Sequence, residues 1–257
     1  MEGIPIVGSL DFATLLFMAF VAFFIGLVFY LQKESRREGF PMETDETGRL
    51  ENSTGPSTPK PKPYHLQDGR TVYKPDGVRD PDYSDKMERL APWAGAPSKP
   101  VGDPMTAQVG PGSFAVREDE PDRDHNGNPK IVPMRTLPDF SVAKQDLDPR
   151  GVDVVGADGD VAGTISDIWV DQAEALVRYY EVELADGGRK VLLPFAFANV
   201  NKGKKRVEVD SIMASHFADV PAHASGSQVT RLEEDKISGY YAGGTLYADK
   251  KRLEPWI

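Results

Sequence analysis

The apolar positions of this chain fall into two regimes. Residues 12–31 run for twenty positions without a charge, broken only by Thr14, Gly26 and Tyr30. Twenty helical residues rise about 30 Å, the thickness of a bilayer's hydrocarbon core, so the pattern predicts a transmembrane α-helix over 12–31. From Val152 onward the pattern changes to short β segments with turn punctuation, at 152–155, 161–169, 175–184, 190–195 and 206–212. In Tyr180-Glu181-Val182-Glu183-Leu184 the polar residues alternate with apolar ones, the period of a half-buried strand. Asp186-Gly187-Gly188 has the composition of a hairpin turn. Strands at this spacing predict a small antiparallel barrel or sandwich. An earlier strand is expected around 113–117, and 233–247 reads as a short helix broken by Gly239 and Gly243-Gly244.

Between the two regimes lies a stretch that cannot bury much core. Eleven of the 21 prolines fall between Pro41 and Pro104. Pro59-Lys60-Pro61-Lys62-Pro63 must be extended, because each proline fixes φ and biases its predecessor away from helix. Unstructured loops longer than about 12–15 residues are uncommon inside a compact domain. The interspersed Tyr64, Tyr73, Tyr83 and Trp93 favour a strap lying across a partner's surface over a solvated linker. The organisation expected is an N-terminus over 1–11, a transmembrane helix over 12–31, an extended surface strap over 32–105 and a mainly-β domain with a short C-terminal helix over 106–257.

Charge refines this picture. With 30 Lys plus Arg and 40 Asp plus Glu, the formal charge is −10. The first 37 residues balance, with Glu2, Asp11 and Glu34 against Lys33, Arg36 and Arg37, so the whole −10 lies beyond them. Such an acidic domain is a poor nucleic-acid binder. No Lys or Arg precedes the apolar run and three follow it at once, which predicts an outside N-terminus and a cytoplasmic C-terminal part. The acidic N-terminal flank and long apolar run argue for an uncleaved anchor rather than a signal peptide. On that orientation the Asn52-Ser53-Thr54 sequon is cytoplasmic and carries no weight, and a single Gly26 makes no GxxxG helix-pairing motif. The absence of cysteine excludes disulfides, thiolate metal sites and cysteine nucleophiles.

Candidate chemistry is sparse. Asp122-Arg123-Asp124-His125-Asn126-Gly127 matches the first half of an EF-hand loop, but Pro133 stands where a bidentate glutamate is needed. The stretch 118–125 packs five carboxylates beside His125, a composition suited to a solvated acidic loop or to collecting protons or a divalent cation; Asp124 and His125 are weak metal candidates. Asp171, Glu174 and Arg178 follow a predicted strand and read as a salt-bridged turn, or as proton-transfer groups if a partner buries them. His65, His216 and His223 are isolated. No Ser-His-Asp set, P-loop or GxGxxG is present, so no catalytic residue is expected and the chain alone is not expected to be an enzyme.

A set of motifs spread over nearly the whole chain adds to this reading. They are Tyr30-Leu31-Gln32 with Arg37-Glu38-Gly39-Phe40-Pro41; Gly102-Asp103-Pro104-Met105 with Val109-Gly110-Pro111; Lys130-Ile131 with Pro133-Met134; Asp167-Ile168-Trp169-Val170-Asp171; Glu181-Val182-Glu183-Leu184; and Leu232-Glu233-Glu234-Asp235-Lys236-Ile237 with Gly239-Tyr240 and Ala242-Gly243-Gly244. In these the sequence resembles the H subunits of the photosynthetic reaction centre of purple bacteria. The resemblance implies one transmembrane helix, an extended surface segment and a cytoplasmic PRC-type β-barrel in the bacterial inner or chromatophore membrane. It implies association with the L and M subunits, with light-harvesting antenna, cytochrome c subunits and membrane lipid as further partners. It implies a complex containing bacteriochlorophyll, bacteriopheophytin, quinone, non-haem iron and carotenoid, none held by this chain alone. It also implies proton conduction to the secondary quinone, with Glu174, Asp171, Arg178, Asp122, Asp124 and Glu234 matching acidic or neighbouring positions on the route. One departure stands out: members with two entry histidines, which also bind inhibitory zinc or cadmium, have them where this chain has Asn126 and Asn128. His125 is adjacent but out of register, and the expectation is that Asp122, Asp124 and His125 substitute as the proton entry. The alternative on sequence alone is a membrane-anchored PRC-barrel adaptor without a photosynthetic role.

Overall fold

The computed structural model describes residues 5–7, 10–40, 42, 58–66, 68–77, 81–93, 95–185 and 187–253. The sequon at Asn52 and the turn residue Asp186 lie outside these. The chain divides into two compact units, Met1–Pro81 with Pro92–Ala96, and Asp82–Ala91 with Pro97–Ile257.

In the first unit β1 (Pro5–Val7) pairs antiparallel with β2 (Leu10–Asp11), and α1 (Phe12–Glu34) follows at once. The Asp11 carboxylate caps α1 by accepting the Thr14 N–H at 2.8 Å. No side chain of α1 is buried, and its six phenylalanines are all more than half exposed. A helix apolar on every face and unburied by its own chain needs an apolar solvent, and α1 is long and apolar enough to span a membrane. It runs one turn past Leu31 before tightening into a 3₁₀ turn at Ser35–Arg37. There the Arg37 guanidinium donates to the Glu34 carboxylate at 2.8 and 2.9 Å. It also donates to the carbonyls of Lys60 at 2.9 Å and Lys74 at 2.7 Å. The second carbonyl ends a hairpin of β3 (Lys62–His65) and β4 (Thr71–Lys74), so the proline-rich stretch is extended as its sequence requires and is also paired.

The second unit adds a small pair, β5 (Met87–Arg89) with β6 (Ser98–Pro100), and one larger sheet. The larger sheet is built from β7 (Ile131–Pro133), β8 (Asp153–Val155), β9 (Val161–Asp171), β10 (Leu176–Leu184), β11 (Lys190–Pro194), β12 (Asn199–Asn201) and β13 (Arg206–Glu208), and α2 (Arg231–Tyr247) follows. The strand order is β11-β10-β9-β8-β13-β12, with β7 also on β9. All these pairings are antiparallel except β8 with β13, which is parallel. The 11-residue β9 is the spine. It holds β10 along one edge, and β8 and β7 in succession along the other. The core is continuous, with Trp169, Val182, Leu192, Leu193, Ile212, Ile237 and Tyr241 essentially inaccessible. Each such aliphatic side chain contributes about 1.5–3 kcal/mol by leaving water.

Three local expectations are corrected. Residues 113–117 form no strand; the first strand of the sheet is β7, and the short β12 completes it. The last strand stops at Glu208 rather than reaching Ile212. And α2 is continuous through all three of its glycines. They are required by close packing: a Cβ at Gly239 would sit 3.0 Å from the Ser113 carbonyl, and one at Gly243 3.0 Å from Gly112 Cα.

Candidate functional site

Three stretches of the second unit meet around a polar cleft of about 250 Å³. The first is the turn joining β9 to β10. Asp171 is buried at the end of β9, with Ile131 of β7 opposite it on one side and Leu176 on the other. Its Oδ1 accepts the N–H groups of Ala173 at 2.9 Å and Glu174 at 3.1 Å. The carboxylate thus shapes the turn that presents Glu174, which is exposed at the rim. The salt-bridged turn expected here is replaced by an amide-capped one, because Arg178 reaches elsewhere.

That reach depends on an irregularity in β10. Val177 pairs with Val170 and Tyr179 with Trp169, so Arg178 is an extra residue against β9. Such a bulge re-aims side chains that strict alternation would send to opposite faces. Both Arg178 and Tyr179 line the cleft.

The second stretch is α2. Thr230 and Glu233 cap it reciprocally, Thr230 Oγ1 accepting the Glu233 N–H at 3.1 Å and the Glu233 carboxylate accepting the Thr230 N–H at 2.8 Å. Arg231, Glu234, Asp235 and Ser238 recur at helical spacing and share the cleft face. Glu234 Oε2 accepts the Tyr179 hydroxyl at 2.9 Å and lies 3.7 Å from the Arg178 guanidinium. Asp235 lies 3.7 Å from that of Arg117.

The third stretch is the loop before β7. Lys130 donates to Asp122 at 2.9 Å, and the Lys130 N–H closes the loop on the Asp122 carbonyl at 2.8 Å. Burial acts to raise the Asp122 carboxyl, but hydrogen bonding and charge from Lys130 outweigh it and hold the group below its ordinary value. Lys130 is raised in turn, first by its hydrogen bond to Asp122. Glu234 is displaced the other way. Burial raises it, and the Tyr179 hydrogen bond and the Arg178 and Arg117 charges only partly compensate. The Tyr179 phenol, 3% exposed, is pushed by burial far above the usual phenol range and stays a neutral donor. Five acids and four bases stand side by side here, with carboxylates displaced in opposite directions, the composition of a surface able to exchange protons.

Of the residues singled out from sequence, the structure brings together Glu174, Asp171, Arg178, Asp122 and Glu234. It does not bring Asp124 or His125 to the cleft. Asp124 Oδ1 accepts the N–H groups of Asn126 and Asn128, each at 2.8 Å. Those amides, that of Asn128 first, lower its carboxyl. The EF-hand-like half motif is therefore a self-capped turn. Among the described residues no group of three or more His, Asp or Glu is placed to hold a metal ion. Sequence reasoning passed over Tyr179, Lys130, Arg117, Arg231, Asp235 and Ser238. The helical spacing of the last three with Glu234 was the available signal.

A separate ionic cluster explains the Asp167–Asp171 and Glu181–Leu184 motifs. Glu181 is buried although its strand alternates, because Arg135, Trp169, Ser166 and Lys190 converge on it at 3.1, 3.0, 2.7 and 2.8 Å. Arg135 also bonds Asp167 at 2.9 Å and the Gly226 carbonyl. His223 stands edge-on to the Trp169 ring at 5.5 Å, and burial lowers it. With each carboxylate oxygen engaged, this cluster is a structural lock rather than a reactive site.

Comparison with known families gives two matches. The family described as the photosynthetic reaction centre, H-chain N-terminal region, matches residues 4–136, just over half of the chain. The PRC-barrel domain matches residues 142–214, a span that holds β8 to β13.

Proposed function

This chain belongs to the photosynthetic reaction-centre H-chain family, and on that premise we propose that it caps the cytoplasmic face of the L and M subunits and passes protons to the secondary quinone. The observation that supports this reading is the cleft. Five ionisable residues from three separate stretches of chain, each matched to the family's proton route, line one polar space. A quinone at membrane depth has no direct access to bulk protons, and side chains that exchange protons near neutral pH supply the route. Glu174, exposed at the rim on an amide-capped turn, faces the quinone-binding partners. Asp171 fixes its turn, Asp122 and Glu234 relay protons behind it, and Arg178 balances their charge. Asp124 and His125 lie on the exposed part of the loop that carries Asp122 into the cleft, and serve as the entry. The pigments, quinones and non-haem iron belong to the L and M subunits, and antenna and cytochrome c subunits surround them. The H chain is thus an accessory subunit of a light-driven electron-transfer complex, not an enzyme by itself. The membrane is the bacterial inner or chromatophore membrane, with the N-terminus periplasmic.

The test is Glu174→Gln in the assembled complex. Primary charge separation stays normal, while proton-coupled reduction of the secondary quinone by the second electron slows on the order of tenfold to a hundredfold. Unaltered flash-induced proton uptake would overturn the reading.

A further inference from the structure

Tyr179 bonds Glu234 on the cleft face of α2, yet neither the family resemblance nor the turn chemistry assigns it a role. Its side chain belongs to the core, and its hydroxyl bonds Glu234 in the cleft wall. It reaches there because the β10 bulge turns it beside Arg178 instead of opposite it. At 2.9 Å it makes a direct hydrogen bond to Glu234, whose side chain is 12% exposed. The other charged neighbours of Glu234 are committed or distant. Arg178, from the same strand, stands at 3.7 Å. Arg117 leans toward Asp235 at 3.7 Å, Lys130 is held by Asp122 at 2.9 Å, and Arg231 by Glu118 at 2.6 Å. Asp122 acts on Glu234 only through space, in the opposite sense to the arginines. Ser238, one turn further along α2, lines the same cleft and acts to lower the Tyr179 phenol, against the larger effect of burial. Ser238 and Glu234 therefore both bear on the Tyr179 hydroxyl from the cleft face of α2.

We propose that Tyr179 is a positioning residue for Glu234: its hydroxyl fixes the carboxylate in the cleft wall and governs the pH at which that carboxylate exchanges its proton. This rests on the reading of the cleft as a proton route. The chemistry favours a phenol for the task. A hydrogen-bond donor stabilises the ionised carboxylate against the cost of burial. A neutral donor does so without adding a formal charge that would trap the proton-poor state.

The experiment is an infrared titration of the carboxyl C=O band in the intact complex, the band of Glu234 being identified by its loss in Glu234→Gln. In Tyr179→Phe, which keeps the ring and its packing, the midpoint of that band moves to higher pH by about one unit. Ser238→Ala, which leaves the ring untouched, moves it the same way by less, and gives the answer should Tyr179→Phe fail to assemble. An unmoved midpoint in both variants overturns the inference, and so does the absence of any band lost in Glu234→Gln. Second-electron quinone reduction in Glu174→Gln tests the proton-route reading separately. If that rate is unchanged while Tyr179→Phe still shifts the midpoint, the route fails and the Tyr179–Glu234 coupling stands.

Discussion

Glu181 and Glu234 show how burial acts on two carboxylates with opposite results. Burial acts to raise Glu181, but four donors, from Lys190, Ser166, Trp169 and Arg135, outweigh it and bring the group down to about 2. Its folded value lies below the ordinary 4.5, so the stability it contributes is complete above about pH 4.5 and is lost as pH falls toward 2. Glu234 is raised, first by burial, so its ionised form costs stability, and the cost grows as pH rises from the ordinary 4.5 through the folded value. Glu181→Gln is therefore expected to lose about 1–3 kcal/mol at neutral pH, with the deficit shrinking in acid. Glu234→Gln is expected to be as stable as the parent at neutral pH or more so, the difference vanishing in acid. Urea unfolding of the full chain in detergent, followed by tryptophan fluorescence across this pH range, checks both; equal losses in the two variants would refute the distinction. The alternation of Tyr180 to Leu184 placed both Glu181 and Glu183 toward solvent. Glu183 is exposed and Glu181 is not, because its partner Arg135 arrives from 46 positions upstream, beyond the reach of any local pattern.

At the scale of elements, the β strands were legible because apolar alternation and turn residues are local signals; the starts of β8 to β11 agree with them within one residue. Two features were not. The β10 bulge has no sequence mark, since any residue can be the extra one, yet it decides that Arg178 and Tyr179 share the cleft. The α2 glycines were legible but misleading. Each glycine in a helix interior costs about 1 kcal/mol relative to alanine, which argued for a break. Tertiary contact overrides that cost, because a Cβ at Gly244 would meet the Ile212 side chain and stand 2.8 Å from the Ser211 carbonyl. Gly244→Ala is thus expected to destabilise by about 1–3 kcal/mol through overpacking, despite its better helix propensity. The reverse sign, a higher melting temperature for Gly244→Ala, would show that the helix does not need its close approach. The same closeness sets α2 against the turn at Gly110–Gly112 and so fixes where Glu234 stands in the cleft.

For the whole molecule the question is how an acidic chain is held on one side of a membrane. All of its net −10 lies beyond residue 37, and acidic residues count little in orienting a span, whereas nearby Lys and Arg count strongly. On the proposed orientation the orienting charge is Lys33, Arg36 and Arg37, and these are not equivalent. Arg37 is spent structurally, bound to Glu34 and to two carbonyls of the following segment. Lys33 and Arg36 are the residues whose replacement is expected to change orientation while leaving those Arg37 bonds in place, Arg36 itself standing 5.3 Å from the centre of the Phe40 ring. Replacing both with Gln, and placing Lys at Ile4 and Ser9 before the span, reverses the Lys and Arg asymmetry while leaving the apolar run 12–31 unchanged. In spheroplasts of a suitable host, external protease is expected to spare the β domain of the parent chain and to degrade a fraction of the four-substitution variant. Full protection of that variant would mean that the β domain's partners, not the flanking charges, decide the side. On the proposed orientation, the cytoplasmic placement of the cleft would then come from assembly rather than from insertion.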